Sequence, residues 1–213
     1  MSTKIDNRSP INVSRLTMWT LKKDAKSYDM EYDTTPHEFE NQLNSFTYTP
    51  SVTIAEQYGD GVKVEDCVVK SGGTCGCVVR AFSTEDENYL FGSAHYESKV
   101  EGATENVQTL VSNKDDVIPY VCVAFMTRRS DGLVNLYKFP KVKWMPQGET
   151  LNQQEGTQIQ FGTASLSGNY VPTLSDGNDM YKVTGIDPKG DNAAFINAWF
   201  TTATVTSPDD VTA

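Results

Sequence analysis

The chain is poor in the residues that most enzymes and metal sites are built from. It has two histidines, His37 and His95, far apart in sequence. A Ser-His or Cys-His nucleophile would need them brought together by folding alone. No G-x-S-x-G, P-loop or H-E-x-x-H pattern occurs. Cysteine is also sparse: Cys67, Cys75, Cys77 and Cys122. Their spacing is not C-x-x-C, so a zinc site is not expected, and free buried thiols are. No apolar run approaches the roughly 18 residues of a membrane-spanning helix, so membrane insertion is not expected. The start, Met1-Ser2-Thr3-Lys4-Ile5-Asp6-Asn7-Arg8, lacks the apolar stretch of a signal peptide, so synthesis in a cytoplasm is expected.

Positive charge is the next shortage. The 213 residues carry a formal net charge of −10. The balance is uneven: net +3 over 1–30, −11 over 31–116, +4 over 117–145 and −6 over 146–213. Such a chain is not a sequence-independent DNA binder, because holding the backbone requires Lys and Arg to displace counterions. The alternating blocks either average out on folding or form complementary surfaces between copies of the chain.

What the sequence does contain is strand pattern. Residues 115–171 read as a ladder. Pro119 opens it, and Tyr120 to Met126 is a β-rich run. Arg129-Ser130-Asp131-Gly132 is a tight turn, because Asp-Gly accepts positive φ. Leu133 to Trp144 is a second strand. Thr157-Gln158-Ile159-Gln160-Phe161-Gly162-Thr163 alternates most cleanly, with Ile159 and Phe161 on one face and Gln158 and Gln160 on the other. That polar face is amide, hydroxyl and glycine: either an ordinary solvated surface, or one that another subunit covers or something slides past.

Elsewhere, residues 11–21 read as a strand. Residues 22–41, with Pro36 and no period, read as a long loop, which suggests mobility or a partner. Residues 42–58 are strand, followed by a turn at Tyr58-Gly59-Asp60-Gly61. Val62 to Val69 is a strand ending at an expected turn, Ser71-Gly72-Gly73, and Thr74 to Phe82 is another. Ser83 caps a short acidic-started helix that Gly92 stops. Residues 93–114 read as loop with a strand at Val107 to Val111. After the turn Asp176-Gly177-Asn178-Asp179 and a strand at 180–184, Asp191 caps a second helix, whose Phe195, Ile196, Trp199 and Phe200 form an apolar stripe. The turn lacks the ligand pattern of a calcium loop. The acidic tail, 201–213, is expected to be loose when alone.

The order of Tyr58-Gly59-Asp60-Gly61-Val62, Gly72-Gly73-Thr74, Leu90-Phe91-Gly92, Val117-Ile118-Pro119-Tyr120-Val121, Tyr137 to Val142, Gln158 to Thr163, Leu166 to Val171 and Ala198-Trp199-Phe200 resembles the major tail tube protein of long-tailed, non-contractile bacteriophages. The resemblance spans roughly residues 10 to 200. It implies a mainly β fold: a single β-sandwich or barrel domain over 1–213 with a flanking helix, terminal arms at 1–10 and 201–213, and the long loop 22–41. It also implies a structural virion protein without enzymatic activity or cofactor. Hexameric rings would stack into a tail tube, assembled in the host cytoplasm. Its partners would be copies of itself, the tape measure protein and DNA in the lumen, and the tail terminator and tail-tip proteins. The segments 22–41 and beyond 201 fit the family pattern least well and are assigned to ring-to-ring contacts. A mildly phosphate-repelling lumen makes Gln158, Gln160, Lys63 and Glu65 the lumen-facing candidates. The alternative is a carbohydrate- or protein-binding β-sandwich of a tail tip or baseplate. Its mark would be an exposed aromatic cluster, with Tyr28, Tyr32, Tyr48 and Trp19 as candidates. A β-sandwich hydrolase, which needs only two carboxylates, ranks third.

Overall fold

A computed structural model describes residues 8–26, 28–39, 43–60, 62–102, 104–147, 163–190 and 192–211. Its eleven described strands are β1 (Pro10–Lys23), β2 (Glu31–Tyr32), β3 (His37–Phe39), β4 (Leu43–Gly59), β5 (Val62–Val79), β6 (Ala94–Lys99), β7 (Asn106–Val111), β8 (Val121–Arg129), β9 (Val134–Met145), β10 (Ala164–Tyr170) and β11 (Tyr181–Ile186). Helix α1 (Thr84–Phe91) follows β5, and α2 (Asn192–Thr201) follows β11. A 3₁₀ turn spans Pro208–Val211.

One antiparallel sheet runs in the order β2-β1-β8-β9-β10-β5-β4, with β11 also on β9 and β3 also on β1. The sheet folds over itself into a β-sandwich. Phe46 of β4 stacks on Phe125 of β8 at 4.2 Å, and Tyr48 meets Phe139 of β9 at 5.4 Å. A small second sheet, β6-β7, lies against α1.

Strands β8 and β9 form the centre because both of their faces are covered. In a strand, successive side chains point to opposite faces. Val121, Val123 and Phe125 therefore share one face and join Phe139, Val142 and Trp144 in the core inside the sandwich; an extra β9 residue between Phe139 and Val142 keeps those two on the same side. Cys122, Ala124 and Leu136 face the other way, into a second core with Trp19, Phe195, Ile196, Trp199 and Phe200. Each such large apolar side chain contributes on the order of 1.5–3 kcal/mol on leaving water. Their hairpin turns as expected: Gly132 has φ 88°, and Asp131 Oδ1 accepts from the Leu133 amide at 3.1 Å.

Helix α1 starts where local chemistry dictates. Ser83 accepts from the Asp86 amide at 3.1 Å, and the Asp86 carboxylate accepts from the Ser83 amide at 2.8 Å. Gly92, at φ 71°, ends the helix. Helix α2 buries the expected stripe. The cap expected at Asp191 and the Gln158 to Phe161 alternation lie outside the described residues.

Four expectations change. Ser71-Gly72-Gly73 is no turn: β5 continues through it as one strand. The described residues of 22–41 are laid against the body rather than forming a bare loop. Strands β2 and β3 both pair with β1, and Asp24 takes Lys141 Nζ at 2.6 Å and the Leu174 amide at 2.9 Å. Residues 93–114 hold a whole hairpin, since β6 pairs with β7. The tail packs too. Ala203 and Val205 are buried, and Lys138 Nζ donates to the carbonyls of Thr202, Ala203 and Val205 at 3.0, 3.1 and 2.6 Å.

Candidate functional site: a bare two-stranded ribbon

Among the described residues, no group of three or more His, Cys, Asp or Glu could hold a metal ion. His37 is committed to structure: its Nε2 lies 2.6 Å from the buried Asp86, and its ring stacks on Tyr89 at 4.4 Å. A cleft of about 400 Å³ is lined in part by Lys138, Tyr32, Asp176 and Tyr181. These four polar groups are engaged within the chain. Asp176 accepts from Tyr181 Oη at 2.6 Å and from Thr173, and Tyr32 Oη donates to the Pro140 carbonyl at 3.0 Å. Lys138 is enclosed by its three carbonyls and by the rings of Trp199 and Trp19, 4.6 and 5.2 Å away. Burial pulls its pKa down to about 8, against the opposing pull of Cys122 and Asp210. Cys75, Cys77 and Cys122 are buried, and burial pushes each thiol up to about 12. Cys67 is exposed. No described helix is long and apolar enough to cross a membrane.

The conspicuous surface is elsewhere. β10 pairs with β5 only from Gly73 to Val79. From Val62 to Lys70, the only described partner of β5 is β4, across Val52 to Gly59. Among the described residues, this outer part is a ribbon two strands wide, roughly 25 Å long at 3.3 Å per residue. Among those residues nothing lies on either face or pairs with either outer edge along Val62 to Lys70. Val52, Ile54, Tyr58, Val62, Val64, Val68 and Val69 are each more than half exposed. Residues directly opposite each other share a face. Ile54 faces Val68 and Glu56 faces Asp66 on one side; Ala55 faces Cys67 and Gln57 faces Glu65 on the other.

A register shift between Gln57 and Tyr58 places Tyr58 opposite Lys63. The extra β5 residue separates the two charged candidates, Lys63 and Glu65, onto opposite faces. Lys63 is neutralised where it stands: its Nζ lies 2.6 Å from Glu56 and 3.0 Å from Asp66. Those contacts raise the lysine pKa, chiefly through Glu56. Gln158 and Gln160 lie outside the described residues. The sequence places Lys63 and Glu65 on a strand but does not show that the apolar side chains beside them stand exposed. Their signal, alternation across Val52 to Tyr58 and Val62 to Val69, is the same in a core strand.

The aromatic cluster expected of a binding module does not form. Trp19 is fully buried, Tyr48 packs on the core and Tyr32 is half-buried. Tyr28 is exposed, under the Lys23 ammonium at 4.6 Å. No protein-family model matches the chain, and no curated protein matches it either.

Proposed function

We propose that the chain is a structural protein that assembles with copies of itself into the tail tube of a long-tailed bacteriophage. One observation carries this reading: the β4–β5 ribbon leaves the body with exposed apolar side chains and, among the described residues, with two unpaired edges of opposite strands. An open, apolar strand edge invites pairing with another chain, and monomeric proteins blunt such edges. Here each copy offers β4 on one side and β5 on the other. Head-to-tail pairing gives the order β4-β5-β4-β5, antiparallel throughout, and a rotation that closes leaves no edge. The tail tube resemblance supplies the remainder: hexameric rings, stacked around a lumen for the tape measure protein and DNA, between tail terminator and tail-tip proteins, in a virion assembled in the host cytoplasm.

The charge of the ribbon suits passage of a polyanion. Residues 51–70 hold four acidic and two basic side chains, and Lys63 is paired with two of the acids. A basic wall would hold DNA by counterion release. Lys63 and Glu65, on opposite faces of the ribbon, are alternative lumen candidates, with Gln158 and Gln160. The binding-module reading has less support, because three of its four aromatic candidates are packed within the chain.

Electron microscopy and sedimentation of the purified chain test the assembly. Rings or tubes are expected, and Ile54→Asp with Val68→Asp should leave folded monomers. A native chain that stays monomeric at every concentration overturns the reading.

A further inference from the structure

We propose that the ribbon's angle to the body is set by a joint at Gly72-Gly73 and a strut between Lys70 and Asp179, making these two charged side chains positioning residues for assembly. This rests on the ribbon being the assembly surface.

The joint is where every property of β5 changes. Residues 62–71 are exposed, and Gly72 and Gly73 are buried. β10 stops pairing at Gly73, opposite Tyr170. Pro50 sits opposite Gly73 and Val52 opposite Lys70, so β5 holds one residue more than β4 across this step. Such a bulge bends and twists a strand pair. Gly72 has φ +93°, and a Cβ there would overlap the Tyr170 carbonyl. A Cβ on Gly73 would overlap the Thr49 carbonyl and crowd the Tyr170 hydroxyl. The bend therefore needs two glycines, and its close backbone packing fixes where the ribbon pivots.

A pivot alone does not fix an angle. Lys70 Nζ, three residues up the ribbon, reaches both Asp179 oxygens, at 2.6 and 2.9 Å. Asp179 stands on a loop tied to the body. The Asp24 carboxylate accepts the Leu174 and Ser175 amides, Asp176 is held by Thr173, Asn178 and Tyr181, and the Thr173 amide donates to the Asn178 carbonyl at 3.0 Å. The strut thus runs from a braced loop to the base of a long lever. A small angular change at the base moves the free edges at the tip by several ångströms, out of reach of strand pairing.

The measurement uses Cys67, exposed on the ribbon while the other three cysteines are buried. A spin label on Cys67 and one on Lys189→Cys report the ribbon-to-body distance by double electron–electron resonance, alongside the assembly threshold by sedimentation. Asp179→Asn and Lys70→Met should widen the distance distribution at least about twofold and raise the threshold about fivefold, the size expected of one partly exposed pair. The melting temperature should stay put. Lys70→Glu with Asp179→Lys should restore both. A native distance distribution in the single variants overturns the strut. Widening without any change in threshold overturns its positioning role. A native chain that never assembles overturns the assembly reading, while the distances still decide the strut.

Discussion

Strand β5 passes through two environments. From Gly73 to Val79 it has a strand on either side, and Cys75, Cys77 and Val79 are buried in the sandwich core. From Val62 to Lys70, among the described residues, it has one neighbour and no cover, although that part carries Val62, Val64, Val68 and Val69. Hydrophobicity therefore does not say which half is buried. What decides is whether the chain supplies a layer to lie on it. Over the inner half, β8 and β9 do so: Phe125 and Phe139 share one core with Cys75, Cys77 and Val79 and stack on Phe46 of the neighbouring β4. Over the outer half, among the described residues, nothing does, and that is why we look to a second copy.

Substitutions break or sharpen this contrast. The largest effect is expected in the body: Phe139→Ala should cost about 3–5 kcal/mol in denaturant unfolding, since it opens a cavity among Phe46, Phe125 and Tyr170. A value under about 1 kcal/mol would mean that the sandwich core is loose. Next comes Lys138, buried beneath the tail. Its pKa is about 8 in the folded chain and 10.5 for an ordinary lysine. Below pH 8 both states hold the proton, and the cost of burying the charge is fully present. Between the two values the unfolded chain binds more protons, so folding stability rises with pH. The native chain should gain on Lys138→Met by up to about 3 kcal/mol over that window, as read by unfolding curves at stepped pH. A flat difference would place the ammonium in water.

Smaller effects belong to the ribbon. Ile54→Ser or Val68→Ser should change monomer stability by no more than about 0.5 kcal/mol, because each side chain is already exposed, yet should abolish rings in the microscope. A large loss of monomer stability would show that the ribbon is covered within its own chain. The smallest effect is expected for Glu65→Lys. Melting temperature and tubes should be unaltered, while DNA delivery by virions slows as the wall gains positive charge. Delivery at the native rate would remove Glu65 from the lumen.

How much of this was readable in the sequence depends on how far away the deciding residue lies. The Asp131-Gly132 turn, the Ser83–Asp86 cap, the Gly92 stop and the Phe195 to Phe200 stripe were all legible, because each is settled within a few residues. Gly72-Gly73 was misread as a turn. Paired glycines signal positive φ or close approach, and a bulge uses both; Tyr170 and Thr49, which choose between turn and bulge, are remote. Strands β2 and β3 are too short to show a period. His37 reads as a lone histidine until Asp86 arrives beside it. The tail's Ala203 and Val205 are too few to announce burial. Of the candidate site, Lys63 and Glu65 were found on their strand, but the bulge that sends them to opposite faces was not.

The sequence by itself determined that this chain would be built from strands with two helices, and where most turns and caps fall, because backbone preference and side-chain alternation act over a few residues. Only the tertiary structure decided which apolar strands are covered and which stand open, because burial depends on what the rest of the chain brings to lie against them. The ribbon is where the chain brings nothing that the described residues reveal.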